Sequence, residues 1–246
     1  MSYEVCGATY SATRRTDSRI AARLWKAIDG AQTVVNVGAG SGSYEPRDCT
    51  VFAVDPSRVM LAQHPAAGAT CIQARAEWLP LRDKSVDAAM AVLTLHHWLD
   101  QGRGVQECVR VARDRVAILT WDHSGAGFWL AQEYFPELLE LDRKLFPPIE
   151  LALAWLGEGH VSSVPIPADC VDGFLGAFWR RPDGYLDPGV RAGMSSFERI
   201  PDAARVRGLD RLAADLQSGA WLRRFGYLLE LDSLDIGYRL LVGKLS

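Results

Sequence analysis

The amino-acid sequence predicts an α/β fold with a doubly wound, mostly parallel sheet, on three observations. A β-branched run, Val34-Val35-Asn36-Val37, passes directly into a turn with glycines at alternate positions, Gly38, Gly40 and Gly42. A second apolar run, Val51-Phe52-Ala53-Val54, ends on the carboxylate of Asp55. Short apolar runs then alternate with helical periodicities as far as Thr120, the pattern of strands joined by crossover helices.

Taken in order, Ser18 to Ile28 sets Ile20, Ala21, Leu24, Ala27 and Ile28 at helical spacing and stops at Gly30, which predicts a helix ahead of the first strand. The loop after a parallel strand lies at the sheet edge where open α/β folds bind ligands, and glycine there lets the backbone approach a ligand closely. After Asp55, Pro56-Ser57 opens a helix around Arg58 to His64. Strands follow at Cys71-Ile72, Ala88 to Leu93 and Val116 to Thr120, with a helix from Gly104 to Arg113. Phe128 to Leu145 reads as one amphipathic helix through Leu130, Tyr134, Leu138, Leu141 and Leu145, ended by Pro147-Pro148. A further helix is expected at Glu150 to Leu156, and strands at Val161 to Ile166 and Ile236 to Leu245.

The glycine spacing discriminates between cofactors. A dinucleotide fingerprint places its third glycine three residues after the second, where this chain has Ser43; here the glycine comes two residues after, at Gly42. An acid ending the second strand, one βα unit downstream, can accept hydrogen bonds from ribose hydroxyls, and alternatively can cap the next helix. With Ala74-Arg75-Ala76-Glu77-Trp78-Leu79-Pro80-Leu81 and Ser85-Val86-Asp87 at normal spacing beyond it, the stretch from Val34 to Trp121 resembles the class I S-adenosylmethionine-dependent methyltransferases, of the group called type 11.

The resemblance implies a Rossmann-like seven-stranded doubly wound sheet whose last strand is antiparallel, S-adenosylmethionine as cofactor and S-adenosylhomocysteine as product. It implies cofactor contacts from Tyr10, Arg14, Asn36, Gly38, Ala39, Gly40, Gly42, Asp55, Pro56, Ala76, Glu77 and Leu93. Two positions depart from the family pattern: Asn36 stands where an acid is usual, and Arg75 replaces an Asp that faces adenine. Arg14 suits the carboxylate end of the cofactor through its bidentate fork, with the adjacent Arg15 as the competing choice. The family needs little more than a hairpin between its last two strands. This chain inserts about seventy residues there, including Phe174, Phe178, Trp179, Arg180, Arg181, Tyr185 and a helix from Asp202 to Leu216.

The expected organisation is one globular domain. An N-terminal cover segment and helix occupies 1–30, the cofactor-binding core 31–122 and a helical segment 123–160. The last two core strands, 161–246, enclose a helical substrate lid at about 172–234. At 246 residues, 48% hydrophobic and with net charge −3, the chain can bury a substantial core and lacks the basic excess of a nucleic-acid binder. No basic-then-apolar leader or membrane-length apolar run is present, so the expectation is a cytoplasmic protein without membrane or nucleic-acid partners, monomeric or homodimeric. Cys6, Cys49, Cys71, Cys108 and Cys170 are scattered with no Cys-x-x-Cys pair, which indicates neither a metal site nor a disulfide framework.

A sulfonium methyl is already electrophilic, so aligning it with the acceptor supplies much of the acceleration. Where the acceptor carries a proton a base helps. His96 and His97, just past the fourth strand, and Asp122, after the fifth, are the candidates. Trp98, Trp121, Trp129, Tyr134 and Trp179 are candidates to line a pocket for a small hydrophobic or aromatic acceptor, with core packing as the competing reading. Two other readings stay open: a cofactor-binding enzyme that does not transfer the methyl, of cyclase or decarboxylase type, and a noncatalytic binding protein with a decayed cofactor site.

Overall fold

A computed structural model describes residues 14–65, 68–124 and 127–245. Helix α1 (Ser18–Ala27), capped by the Asp17 carboxylate on the Arg19 amide, buries Ile20, Ala21 and Leu24, as the periodicity requires. It leads into β1 (Thr33–Val37), then β2 (Thr50–Asp55), the single-turn helix α2 (Arg58–Leu61), β3 (Thr70–Gln73) and β4 (Val86–Val92). Helix α3 (Gln101–Val111) and strand β5 (Ala112–Trp121) complete the alternating half. The strand begins as soon as the helix ends, earlier than its apolar residues suggested.

The expected single helix from Phe128 to Leu145 is two pieces. A π-helical turn spans Leu130–Tyr134, Phe135 turns out of helical geometry (φ −136, ψ 64), and Pro136 opens helix α4 (Pro136–Leu145). Proline lacks the amide that would continue the ladder and disfavours helical geometry at the residue before it. Helix α5 (Ile149–Leu156) and strand β6 (Gly159–Ser163) follow. The expected strand to Ile166 stops at Ser163, and Ile166–Pro167 instead forms β7.

The insert contains short helices α6 (Pro188–Arg191) and α7 (Ser195–Arg199), the long α8 (Asp202–Gln217) and α9 (Ala220–Phe225). Strand β8 (Ser233–Leu234) pairs antiparallel with β7, closing the insert at its base, and β9 (Tyr238–Lys244) ends the fold.

The main sheet has the order β3-β2-β1-β4-β5-β9-β6. Its first five strands run parallel, while β9 lies antiparallel between β5 and β6, as the resemblance implied. The order reverses between β1 and β4, so the loops after these strands splay apart and leave a crevice at their carboxyl ends. One face of the sheet is covered by α3 and α5, and the other packs on α1, α4 and the insert around Trp129, Phe135, Trp179 and Tyr185.

Candidate active site

The loop after β1 owes its shape to its glycines. Gly38, Gly40 and Gly42 adopt φ of +72, +55 and +87, in the left-handed region. At Gly38 there is also no room for a side chain: a Cβ would lie 2.0 Å from Thr94 Oγ1 at the end of β4. The Gly38 and Ala39 amides donate to the Val54 carbonyl (2.8 and 3.0 Å), and the Gly40 amide donates to Asp55 Oδ2 (2.9 Å). Asp55 Oδ1 accepts the Ser57 amide at 2.8 Å, so this carboxylate both braces the glycine loop and steadies the start of α2.

The crevice between β1 and β4 is a cleft of about 550 Å³ walled by Asn36, Gly38, Ala39, Gly40 and Asp55 on one side and Leu93, Thr94 and His97 on the other, with Arg14 and Tyr44 bordering it. Asn36 donates to Glu45 Oε1 at 3.0 Å, which fixes its amide and leaves Oδ1 buried at the cleft wall with no partner among the described residues. Glu45 thus brings a carboxylate beside the position where the family pattern has one.

Gly42, Pro56, Ala76 and Glu77 do not line this cleft. The Glu77 Oε1 accepts the Leu99 and Asp100 amides (2.7 and 3.1 Å), which organises the loop before α3. Arg75 is exposed, and Tyr10 lies outside the described residues.

Arg14 lines the cleft, and its guanidinium is also gripped by the insert. Its Nε and Nη2 donate to the two oxygens of Asp172 (2.7 and 3.3 Å), which further accepts the Arg15 and Gly173 amides and the Tyr44 hydroxyl at 2.7 Å. Asp172 therefore ties the N-terminal segment, the glycine loop and the insert together in a buried cluster.

A second cavity of about 680 Å³ adjoins the cleft, and Arg14, Leu93 and His97 line both. Leu93 holds φ +52, an uncommon geometry for a branched residue, at this junction. Trp121, Phe128, Phe146, Phe174 and Tyr238 give the chamber aromatic walls, and Leu175 and 193–196 of the insert close one side. Its polar lining comes from Arg14, His96, His97, Asp142, Ser195, Ser196 and the Tyr238 hydroxyl. The His96 and His97 rings lie 3.9 Å apart between centroids, tilted by 45°, with Phe146 at 4.5 Å from His96. Burial, then the charges of Arg199 and Arg14, push His97 down to about 3. Burial, then His97 and the same arginines, hold His96 well below the usual imidazole range. Both rings are neutral near pH 7, and the Arg199 guanidinium lies 3.3 Å from His97 Nδ1.

Asp142 on α4 also lines the chamber; it is 3% exposed, its Oδ2 has no partner among the described residues, and its carboxyl is pushed up to about 7 by burial alone. The sequence reading missed it, although a signal was there: Asp142 follows Leu138 by four residues and precedes Leu145 by three, on the apolar face of its helix.

Of the expected acceptor contacts only Trp121 lines the chamber. Trp129, Tyr134 and Trp179 are buried in the core, where the Trp129 indole donates to the Trp179 carbonyl (2.9 Å), the Trp179 indole to Ile166 (2.9 Å) and the Tyr134 hydroxyl to Asp215 (2.8 Å). Trp98 packs over Gly104 on α3. Their aromatic mass serves the insert's own core. Asp122 also stays outside the chamber, because its Oδ1 accepts the Ser124 amide and hydroxyl (2.9 and 2.6 Å) and its Oδ2 faces Arg239.

Residues 35–119 match the family described as a methyltransferase domain. The chain is 37% identical over 95 residues to an uncharacterized methyltransferase of Mycobacterium tuberculosis, a match covering 36% of this chain and only 39% of that relative's length. A crystal structure from Anabaena variabilis, described as a "putative methyltransferase from antibiotic biosynthesis pathway", is similar over nearly the whole molecule. It shares 34% identity, covering 95% of this chain and 99% of that one, with a TM-score of 0.88. The YcgJ protein of Bacillus subtilis shares the fold, with a TM-score of 0.52 at 17% identity over 93% of this chain and 99% of its own. The 34% identity to the Anabaena variabilis protein across nearly both full lengths, joined to the family match, the sheet order and the glycine loop, makes this chain a member of the class I S-adenosylmethionine-dependent methyltransferases.

Proposed function

We propose that this protein binds S-adenosylmethionine in the cleft between β1 and β4 and transfers its methyl group to a small, largely apolar acceptor held in the aromatic chamber. The observation that carries the reading is the shared wall: Arg14, Leu93 and His97 border both cavities, so a ligand in one meets a ligand in the other at this point.

The residues present suit the cofactor. The buried, unpartnered Asn36 Oδ1 calls for a donor, such as the ammonium of the methionyl end. Asp55 offers acceptors to a ribose, and the crowded Gly38 lets the backbone form the cleft floor. Bound there, S-adenosylmethionine supplies an electrophilic methyl on a sulfonium. The chain's part is alignment and exclusion of water. Arg14, held by Asp172, fixes one edge of the cleft, and insert residues Phe174, Leu175 and Met194 shield the acceptor, which supports reading the insert as a substrate cover. The base role expected of His96 and His97 does not suit their surroundings, since an imidazole pushed down to about 3 holds a transferred proton poorly. They act as neutral walls.

Calorimetric titration with S-adenosylmethionine and S-adenosylhomocysteine, with NAD as control, tests the reading. Both nucleosides are expected to bind and NAD is not. Asp55→Ala, checked for folding by circular dichroism, is expected to lose at least about tenfold in affinity, the worth of one hydrogen bond to a charged group. A folded wild-type protein that binds neither nucleoside overturns the proposal.

A further inference from the structure

We propose that Asp142 is the proton acceptor of the reaction, and that the acceptor molecule is correspondingly a neutral, flat, apolar compound presenting a hydroxyl of phenol or enol type. The inference rests on the methyl-transfer reading above.

Asp142 stands apart from the other buried acids. Asp172 receives donors from Arg14, Arg15, Gly173 and Tyr44, Glu107 is paired with Arg103 and Arg110, and Glu77 caps two amides. Among the described residues no hydrogen bond or ion pair reaches the Asp142 carboxyl, although it is 3% exposed and Oδ2 is fully covered. A buried carboxyl left without a donor is costly, and such groups persist where a ligand supplies the missing partner.

The surroundings narrow that partner's chemistry. Aromatic walls from Phe128, Phe146, Phe174 and Trp121 suit a flat, apolar body. The titratable groups that face the chamber with Asp142 are Arg14, His96, His97 and Tyr238, and Arg199 lies against His97. The fixed charges among these are cationic, which disfavours a protonated amine and favours a neutral protic group. Of the chamber's bases, the imidazoles are held too acidic to keep a proton, whereas burial brings the Asp142 carboxyl up to about 7, matched to proton transfer at neutral pH.

In the step, the acceptor O–H proton passes to Asp142. The oxygen lone pair forms the new O–CH3 bond, and the electrons of the breaking S–CH3 bond remain on sulfur, giving the neutral thioether. The Asp142 proton is lost to solvent when the products leave.

The test uses three probes on the intact protein with and without S-adenosylhomocysteine: 2-naphthol, its apolar isostere 2-methylnaphthalene and the cation 2-naphthylmethylamine. The expected result is at least tenfold tighter binding of naphthol than of either other probe. Emission of the bound naphthol, a photoacid, should come from the naphtholate. In Asp142→Leu the preference over methylnaphthalene should fall to within about twofold and emission should revert to neutral naphthol, with S-adenosylhomocysteine affinity unchanged. Asp142→Asn, which keeps the shape and an acceptor oxygen but not the base, should retain part of the preference and lose the naphtholate emission. Equal binding of the two neutral probes, preference for the amine, absence of any probe binding, or neutral emission from wild type would each overturn the inference. Failure of S-adenosylhomocysteine to bind, with naphthol recognition still dependent on Asp142, would overturn the methyl-transfer reading instead.

Discussion

Asp172 is the residue whose loss should be felt most widely. Its side chain is fully buried and that of Arg14 is 9% exposed, so Asp172→Ala removes the carboxylate paired with a nearly buried guanidinium and the acceptor of the buried Tyr44 hydroxyl. Breaking one side of a buried ion pair costs about 3–5 kcal/mol, and an unsatisfied hydroxyl about 1–3 more. The two terms overlap, and Arg14 borders the cleft, where water can reach it, so the expected total is about 4 kcal/mol. That is a large share of the ~5–15 kcal/mol holding a domain together. Asp172→Asn keeps the shape and an acceptor for Tyr44, and should cost about half as much. Guanidinium denaturation followed by tryptophan fluorescence measures both, with the slope m checked for constancy. Because Arg14 leaves its position in the wall, S-adenosylhomocysteine affinity should fall in parallel. A loss below about 1 kcal/mol for Asp172→Ala at unchanged m would refute the idea that this cluster clamps the N-terminal segment and insert to the glycine loop.

Gly38→Ala and Gly30→Ala impose the same backbone strain, at φ of +72 and +86, but only Gly38 is crowded, and nothing lies within 4 Å of a Cβ at Gly30. Gly30→Ala should cost about 1 kcal/mol and spare cofactor affinity, whereas Gly38→Ala should cost at least twice that and weaken S-adenosylhomocysteine binding more than tenfold; equal costs from denaturant melts would contradict the crowding. Acid sensitivity should map to the histidines. With His97 pushed down to about 3 in the fold, the unfolded chain takes up the proton first, so its contribution to stability is intact above the unfolded value of about 6.5 and is lost as pH falls from there toward 3. Between pH 7.5 and 5 this loss is about 2 kcal/mol. His97→Gln should remove it from the wild-type difference, and melts showing the same acid loss in both proteins would show that His97 is solvated.

The parts of the fold legible in the sequence were those written locally. Positive φ at Gly38, Gly40 and Gly42 leaves a mark because few other residues tolerate it, and Asp55 announces a strand end because an acid seldom closes a buried apolar run otherwise. The chamber was illegible for the opposite reason. Trp129, Tyr134 and Trp179 have the composition of a binding pocket, and which way each faces depends on contacts across the insert, such as the Trp129 indole on the Trp179 carbonyl, that no local pattern encodes. Pro136 was visible but outweighed by the leucine periodicity on either side of it. Its break shortens α4 to a ten-residue helix, Pro136–Leu145, on whose apolar face Asp142 sits.

The same break explains why the chamber has its chemistry. An acid on the apolar face of an uninterrupted core helix is a defect, since its ionised form gains nothing from burial. On the short α4, that face is divided between the core, where Leu138 is fully buried, and the chamber, which Asp142 and the following Phe146 line. The raised affinity of Asp142 for its proton follows from burial without a partner. In the absence of a ligand it makes the fold less stable as pH rises from the unfolded value of about 3.9 through 7, where the unfolded chain has already released the proton. Such a cost is retained where the unpartnered group has work to do, and its neighbours agree in kind: two imidazoles held neutral, an arginine held by Asp172, and walls of phenylalanine. The glycine-loop cleft is walled by residues of the family's core, while the chamber takes Asp142 from α4 and Phe174, Leu175 and Met194 from the insert, beside Leu93, His96, His97, Trp121 and Tyr238 of the core. On the methyl-transfer proposal, substitutions at Phe174, Met194 or Asp142 should therefore change which acceptor is used before they change whether S-adenosylmethionine binds.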